Sequence, residues 1–166
     1  MSEEIRRAAI AAVSKVFEKM FFVFAEEEEE AAPETDRKEE RPLSAGSPVQ
    51  WVWGEIAFQG DFPGNIRLTL PYGLALTMAA NFMGLEEKEV SEPELLDVAS
   101  ELNNMIAGNL FSLLNKKAQY TLTKPRAELI SEGEEEKRRS QESGLKIRFN
   151  VDGQRVDLNV HFPKPE

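Results

Sequence analysis

At 166 residues the chain has room for one domain with a real core, and its 41% hydrophobic content is that of a globular protein. A formal net charge of −10 argues against the phosphate backbone of nucleic acid as a partner, and the lack of cysteine excludes disulfides, thiolate nucleophiles and thiolate metal sites. The acidity is uneven: residues 26–47 hold nine acids against three bases and residues 131–143 five against three, together −8 of the −10.

The first segment, residues 2 to about 25, has Ile10, Val13, Phe17, Met20 and Phe24 at spacings of three and four, which predicts an amphipathic helix. Lys15, Glu18 and Lys19 interrupt its apolar content, unlike a signal peptide, and no run approaches the roughly 18 apolar residues of a membrane span. A cytoplasmic protein is the expectation. Residues 26–48 follow with five consecutive Glu, three prolines and small residues. Self-repelling charge without apolar content predicts a flexible acidic insertion.

Residues 49–59 read as a strand with Trp51, Trp53, Ile56 and Phe58, and the Gly60–Gly64 stretch as a turn. That turn lacks both the spacing and the following Lys of a phosphate loop. Ile66, Leu68 and Leu70 alternate with Arg67 and Thr69, giving a half-buried second strand. Pro71 opens a short helix over 72–82 that Gly84 closes. Ser91-Glu92-Pro93-Glu94 is a capping box, and the helix it starts runs to about residue 115. Short strands are expected near 120–123 and 127–130, then a second flexible acidic insertion at 131–143. Leu145, Ile147, Phe149 and Val151 lead into Asp152-Gly153, and Val156, Leu158, Val160 and Phe162 lead back: a hairpin.

Helix plus hairpin thus occurs twice. The expected fold is α+β, a single two-layer domain over 1–166: long helices packed on a mostly antiparallel sheet, from an internal helix–hairpin duplication with pseudo-twofold symmetry. Trp51 and Trp53 share one strand face, suited to a core or subunit interface more than to stacking bases. Phe21 and Phe22 extend the first helix's apolar surface, for the core or for a dimer contact. His161 alternates with Arg155, Asp157 and Asn159, as a surface histidine does.

On the second long helix Leu95, Ala99, Leu102, Ile106, Leu110 and Leu113 fall in one sector, the expected core face. Asp97, Glu101, Asn104, Gly108 and Asn115 lie opposite, with Phe111 at the margin. Glu101 and Asn104, three residues apart, share one patch, and Ala107 and Gly108 keep the next turn low enough for close approach. The longer string Asp97-x-x-x-Glu101-x-x-Asn104-Met105-Ile106-Ala107-Gly108-Asn109 resembles the signature helix of the CheC, FliY and CheX chemotaxis phosphatases. Ser14-x-x-x-Glu18-x-x-Phe21 in the first helix has the same frame with Phe in place of the amide. One intact and one decayed motif looks most like the CheX branch.

The resemblance implies a phosphatase for the aspartyl-phosphate of a CheY-like receiver domain. Glu101 and Asn104 would be its catalytic residues, and Asp97, Gly108 and Phe111 its docking positions. Glu101 would pair with the receiver's active-site lysine and Asn104 would align the attacking water. Orienting water with a carboxamide is an established device in phosphoryl transfer. The chain is expected to bind no cofactor itself, with Mg²⁺ in the receiver's site, and a homodimer is implied. The alternative is a non-catalytic receiver-binding or flagellar-switch-type module of the same fold.

Overall fold

The computed structural model describes residues 2–28, 50–61, 63–114 and 120–162. Helix α1 (Ser2–Phe21) leads to the two-residue strand β1 (Glu26–Glu27), then the hairpin β2 (Gln50–Gly60) and β3 (Gly64–Pro71). Helix α2 (Tyr72–Met83), a 3₁₀ turn (Glu87–Glu89) and helix α3 (Glu92–Leu114) follow. Strands β4 (Tyr120–Leu122) and β5 (Arg126–Ser131), helix α4 (Glu132–Gln141) and the hairpin β6 (Leu145–Val151) and β7 (Gln154–His161) complete the described chain.

All seven strands form one antiparallel sheet in the order β1-β6-β7-β3-β2-β4, with β5 also on the outer side of β2. That order reads the same from both ends when the halves are exchanged. β3 and β7 are the central pair, with Leu68 opposite Leu158; β2 and β6 flank them, and β5 and β1 lie outside. The topology is that of the duplication. Asp152 and Gly153 both take positive φ, 52° and 78°, in the β6–β7 turn, which matches the right-handed twist of its strands.

The period-two alternation decides the faces. Val52, Ile56, Phe58, Ile66, Leu68, Leu70, Ile147, Phe149, Val156, Leu158 and Val160 point to α1, α2 and α3 and form the main core with them. The helix face of α1 is Ala9, Ala12, Val13, Val16, Phe17 and Phe21, all buried, while Met20 and Phe24 are exposed, the latter at 67%. The expected stripe fails at Phe24 because the helix stops at Phe21, and at Met20 because the buried face runs through Val13, Val16, Phe17 and Phe21 instead. Phe22 turns left-handed at φ 58°, and the Val23 amide donates to the Phe17 carbonyl at 3.2 Å. The turn aims the chain at the sheet edge, where Glu26 and Glu27 pair with β6 and Glu27 forms an ion pair with Arg6. The acidic run of 26–48 therefore opens as a strand; its residues 29–48 lie outside the described residues.

The stretch 131–143 is not an insertion loop but mostly helix. Ser131 Oγ accepts from the Glu134 amide at 3.1 Å, and Glu134–Arg138 and Glu135–Arg139 are i,i+4 pairs, both at 3.0 Å. Acids in its first turn and Arg138 and Arg139 in its last complement the helix dipole. This helix covers part of the sheet's second face. Arg138 lies over the Trp53 ring at 4.5 Å and Arg155 over Trp51 at 4.4 Å, and Arg155 also pairs with the buried Glu135 carboxylate. Trp51 and Trp53 thus form a second small core with Ile130. A helix without apolar residues holds there through the Arg138 guanidinium on Trp53 and the ion pair of Glu135 with Arg155.

Candidate active face of helix α3

The start of α3 is fixed by reciprocal bonds. Glu94 N donates to Ser91 Oγ at 3.3 Å, and Ser91 N donates to Glu94 Oε1 at 3.0 Å. The backbone bond from Ser91 is the main reason that the Glu94 carboxyl lies below its ordinary value. From there Leu95, Val98, Ala99, Leu102, Ile106, Ala107 and Leu110 turn inward and are buried. Leu113, expected on that face, is 55% exposed, while Leu110 and Phe111 carry the buried face through the last turn.

The opposite face stays open. Asp97, Glu101 and Gly108 are exposed and Asn104 is half-buried. A Cβ built on Gly108 would meet nothing within 4 Å, so no element of the described chain occupies the low stretch of helix beside the pair. Among the described residues no hydrogen bond or ion pair engages the side chain of Glu101 or of Asn104, whereas Asn109 Nδ2 donates to the Met105 carbonyl at 2.9 Å. The acid and the amide are therefore available to another molecule, about 5–6 Å apart at their Cβ atoms as i,i+3 neighbours.

Phe111 does not belong with them. It is 9% exposed, stacks on Tyr120 at 4.1 Å and meets Phe58 edge-on at 4.7 Å, so it is core and not a docking position. The helix-wheel margin misled because β4 and β2 close over this end of α3. Asn115 lies outside the described residues. In the echoed motif of α1, Ser14 is half-buried and Glu18 exposed, but Phe21 is buried and stacks on Phe82 at 5.1 Å. The first helix thus offers an acid with no amide beside it. His161 Nδ1 lies 3.2 Å from Ser143 Oγ. Sequence reasoning passed over Asn103, a fully buried amide whose Nδ2 donates to the Ile66 carbonyl at 3.4 Å. A polar residue breaking the core sector between Leu102 and Ile106 was its signal.

The model of the family described as chemotaxis phosphatase CheX matches residues 52–150, more than half of the chain and including all of α3. The chain belongs to the CheX family. No curated protein sequence matches it. Among solved structures it is similar to the chemotaxis protein CheX from Vibrio vulnificus, at 17% identity and a TM-score of 0.68 over 96% of each chain. A CheX–CheY–BeF3–Mg²⁺ complex from Borrelia burgdorferi matches at 17% identity, covering 96% of this chain and 98% of that one, with a TM-score of 0.65. FliY from Thermotoga maritima matches at 13% identity over 96% and 87%, with a TM-score of 0.58. At such identities these structures establish the CheX-like fold and nothing finer. No helix among the described residues is long and apolar enough to cross a membrane.

Proposed function

We propose that this chain accelerates hydrolysis of the aspartyl-phosphate on a CheY-like receiver domain. The observation that carries the reading is the unengaged pair Glu101 and Asn104 on the open face of α3, beside the low turn at Gly108. Neither side chain is a phosphoryl-transfer nucleophile in this role. A receiver brings the aspartyl-phosphate, a lysine and Mg²⁺, and what it lacks is a group that holds water in line with phosphorus. The Asn104 carboxamide, with a donor and an acceptor on one planar end, supplies that group. Glu101 pairs with the receiver's lysine and sets the approach, while Asp97 and Gly108 border the contact. Mg²⁺ is the receiver's, and it neutralises charge on the phosphoryl oxygens. Two findings support the reading: membership of a family described as chemotaxis phosphatases, and a relative solved as a complex with CheY. The protein acts as a homodimer in the cytoplasm in this reading.

Decay of a phosphorylated receiver with and without the protein tests it. Faster phosphate release in its presence is the expected result. Unchanged decay alongside measurable binding replaces the phosphatase with a non-catalytic receiver-binding module, and absence of binding removes both.

A further inference from the structure

Asn103 is an amide in surroundings that suit a hydrocarbon. It is 0% exposed, and Ala99, Ile106 and Ala107, its neighbours one turn away on α3, are buried with it. Its Nδ2 donates to the Ile66 carbonyl of β3 at 3.4 Å, and its Oδ1 has no hydrogen-bond partner among the described residues. With the amide reversed, two acceptors would face each other, so the carbonyl dictates its orientation. A leucine would fill similar space without leaving a buried acceptor unpaired. A Cβ on Gly54 of β2 would stand 3.4 Å from Asn103 Nδ2 and 3.9 Å from the Ala99 carbonyl, ordinary contact distances, so this strand lies directly against the amide.

Apolar contacts attract without direction, and a face of Leu, Ile and Ala tolerates small rolls of the helix that bears it. A hydrogen bond to a fixed acceptor does not. Ile66 is such an anchor: its strand is paired on both sides, with Ile56 in β2 and Val160 in β7. Asn103 and Asn104 are consecutive, about 100° apart around the axis, so the azimuth of one sets that of the other. Side-chain ends stand about 5–6 Å from the axis, so a roll of about 10° carries the Asn104 amide about 1 Å. A displacement of about 1 Å costs about 100-fold where reacting groups must be aligned.

We propose that Asn103 is a positioning residue: bonded to the Ile66 carbonyl, it sets the roll of α3 and so the direction in which Asn104 meets the phosphoryl group. This rests on the phosphatase reading. The test compares wild type, Asn103→Leu and Gly54→Ala in melting temperature, affinity for a receiver loaded with BeF3 and Mg²⁺, and phosphate release at saturating protein. Asn103→Leu is expected to melt at or above wild type and to bind within about twofold, while kcat falls about tenfold or more. Gly54→Ala, whose methyl meets the amide at ordinary contact distance and leaves its bond in place, keeps kcat within about twofold of wild type. Without any receiver, the Asn104 side-chain NH₂ resonances shift or broaden in Asn103→Leu and not in Gly54→Ala. In Asn103→Leu, a kcat within about twofold of wild type with unmoved Asn104 resonances overturns the proposal, as does a loss of kcat that only follows a loss of melting temperature. Should Asn103→Leu not fold, Asn103→Ala takes its place in the same comparison. A wild-type protein that leaves the receiver's phosphoryl lifetime unchanged overturns the phosphatase reading instead, and the resonances alone then decide the positioning role.

Discussion

In the proposed function Glu101 and Asn104 leave the same patch of α3 with different tasks, and that difference is measurable. An acid that pairs with a lysine acts as soon as the proteins touch, so its contribution is spent in binding. An amide that holds water in line contributes only where that geometry matters, in the transition state. Asn104→Ala is therefore expected to leave receiver affinity within about twofold while catalysed phosphate release drops about 100-fold, towards the receiver's own rate. Glu101→Ala weakens binding instead, and part of its loss returns at high protein concentration. Decay of phosphorylated receiver across a titration of each variant separates the two. Equal losses of affinity from both variants would sink the division of labour.

At the scale of the element, α3 and α4 show what local sequence does and does not reveal. The capping box Ser91-x-x-Glu94 marked the start of α3, because its two reciprocal bonds depend on nothing outside the four residues. Ser91→Ala is expected to cost about 1 kcal/mol, read as a lower urea midpoint with unchanged slope. The start of α4 has a similar local sign: the Ser131 side chain accepts from Glu134, and Glu–Arg pairs follow at i,i+4. Composition hid it, since a helix with no apolar residue has no stripe to detect. What holds α4 down is tertiary, in the Trp53 ring under Arg138 and in Arg155 of β7, which pairs with Glu135.

The far end of α4 carries a carboxylate in an unfavourable place. Glu142 is the C-cap residue, next to the helix's free carbonyls. Burial is the first cause of its raised pKa; Asp157 and Glu135 add to the rise, and Arg67 and Lys146 oppose it. A raised value means that the folded state holds the proton more firmly than the unfolded chain does. The group's contribution to stability is then complete below the ordinary carboxylate pKa and is lost as pH rises through the folded value. Glu142→Gln is expected to raise the melting temperature at pH 7, with the gain gone below about pH 4, where the unfolded carboxyl is protonated as well. A gain of equal size at both pH values would show that charge is not its source.

Over the whole molecule, the duplication was legible because helix and hairpin periodicities recur in the same order, and the palindromic strand order shows what they build. The open face of α3 was legible because the helix is amphipathic and Glu101 and Asn104 sit on its polar side. Phe111 was misassigned and Asn103 missed for one reason: both depend on which strand closes over the helix, and a wheel drawn for an isolated helix contains no strands. The same limit explains how the two halves differ. In α1 the amide position is Phe21, and its ring is sealed against Phe82. In the proposed reading one chain should therefore offer one catalytically complete face, despite its near-symmetric frame. Phe21→Asn restores the motif on paper only, because the new amide would enter a dry, apolar site with no partner. It is expected to lower stability by about 3–5 kcal/mol, as large-to-small aromatic core substitutions do, and, combined with Asn104→Ala, to restore no catalysed phosphate release. Urea unfolding and the decay of phosphorylated receiver read the two quantities. Catalysed release by the double variant would mean that α1 is held out of action by that one ring and not by its burial in the core.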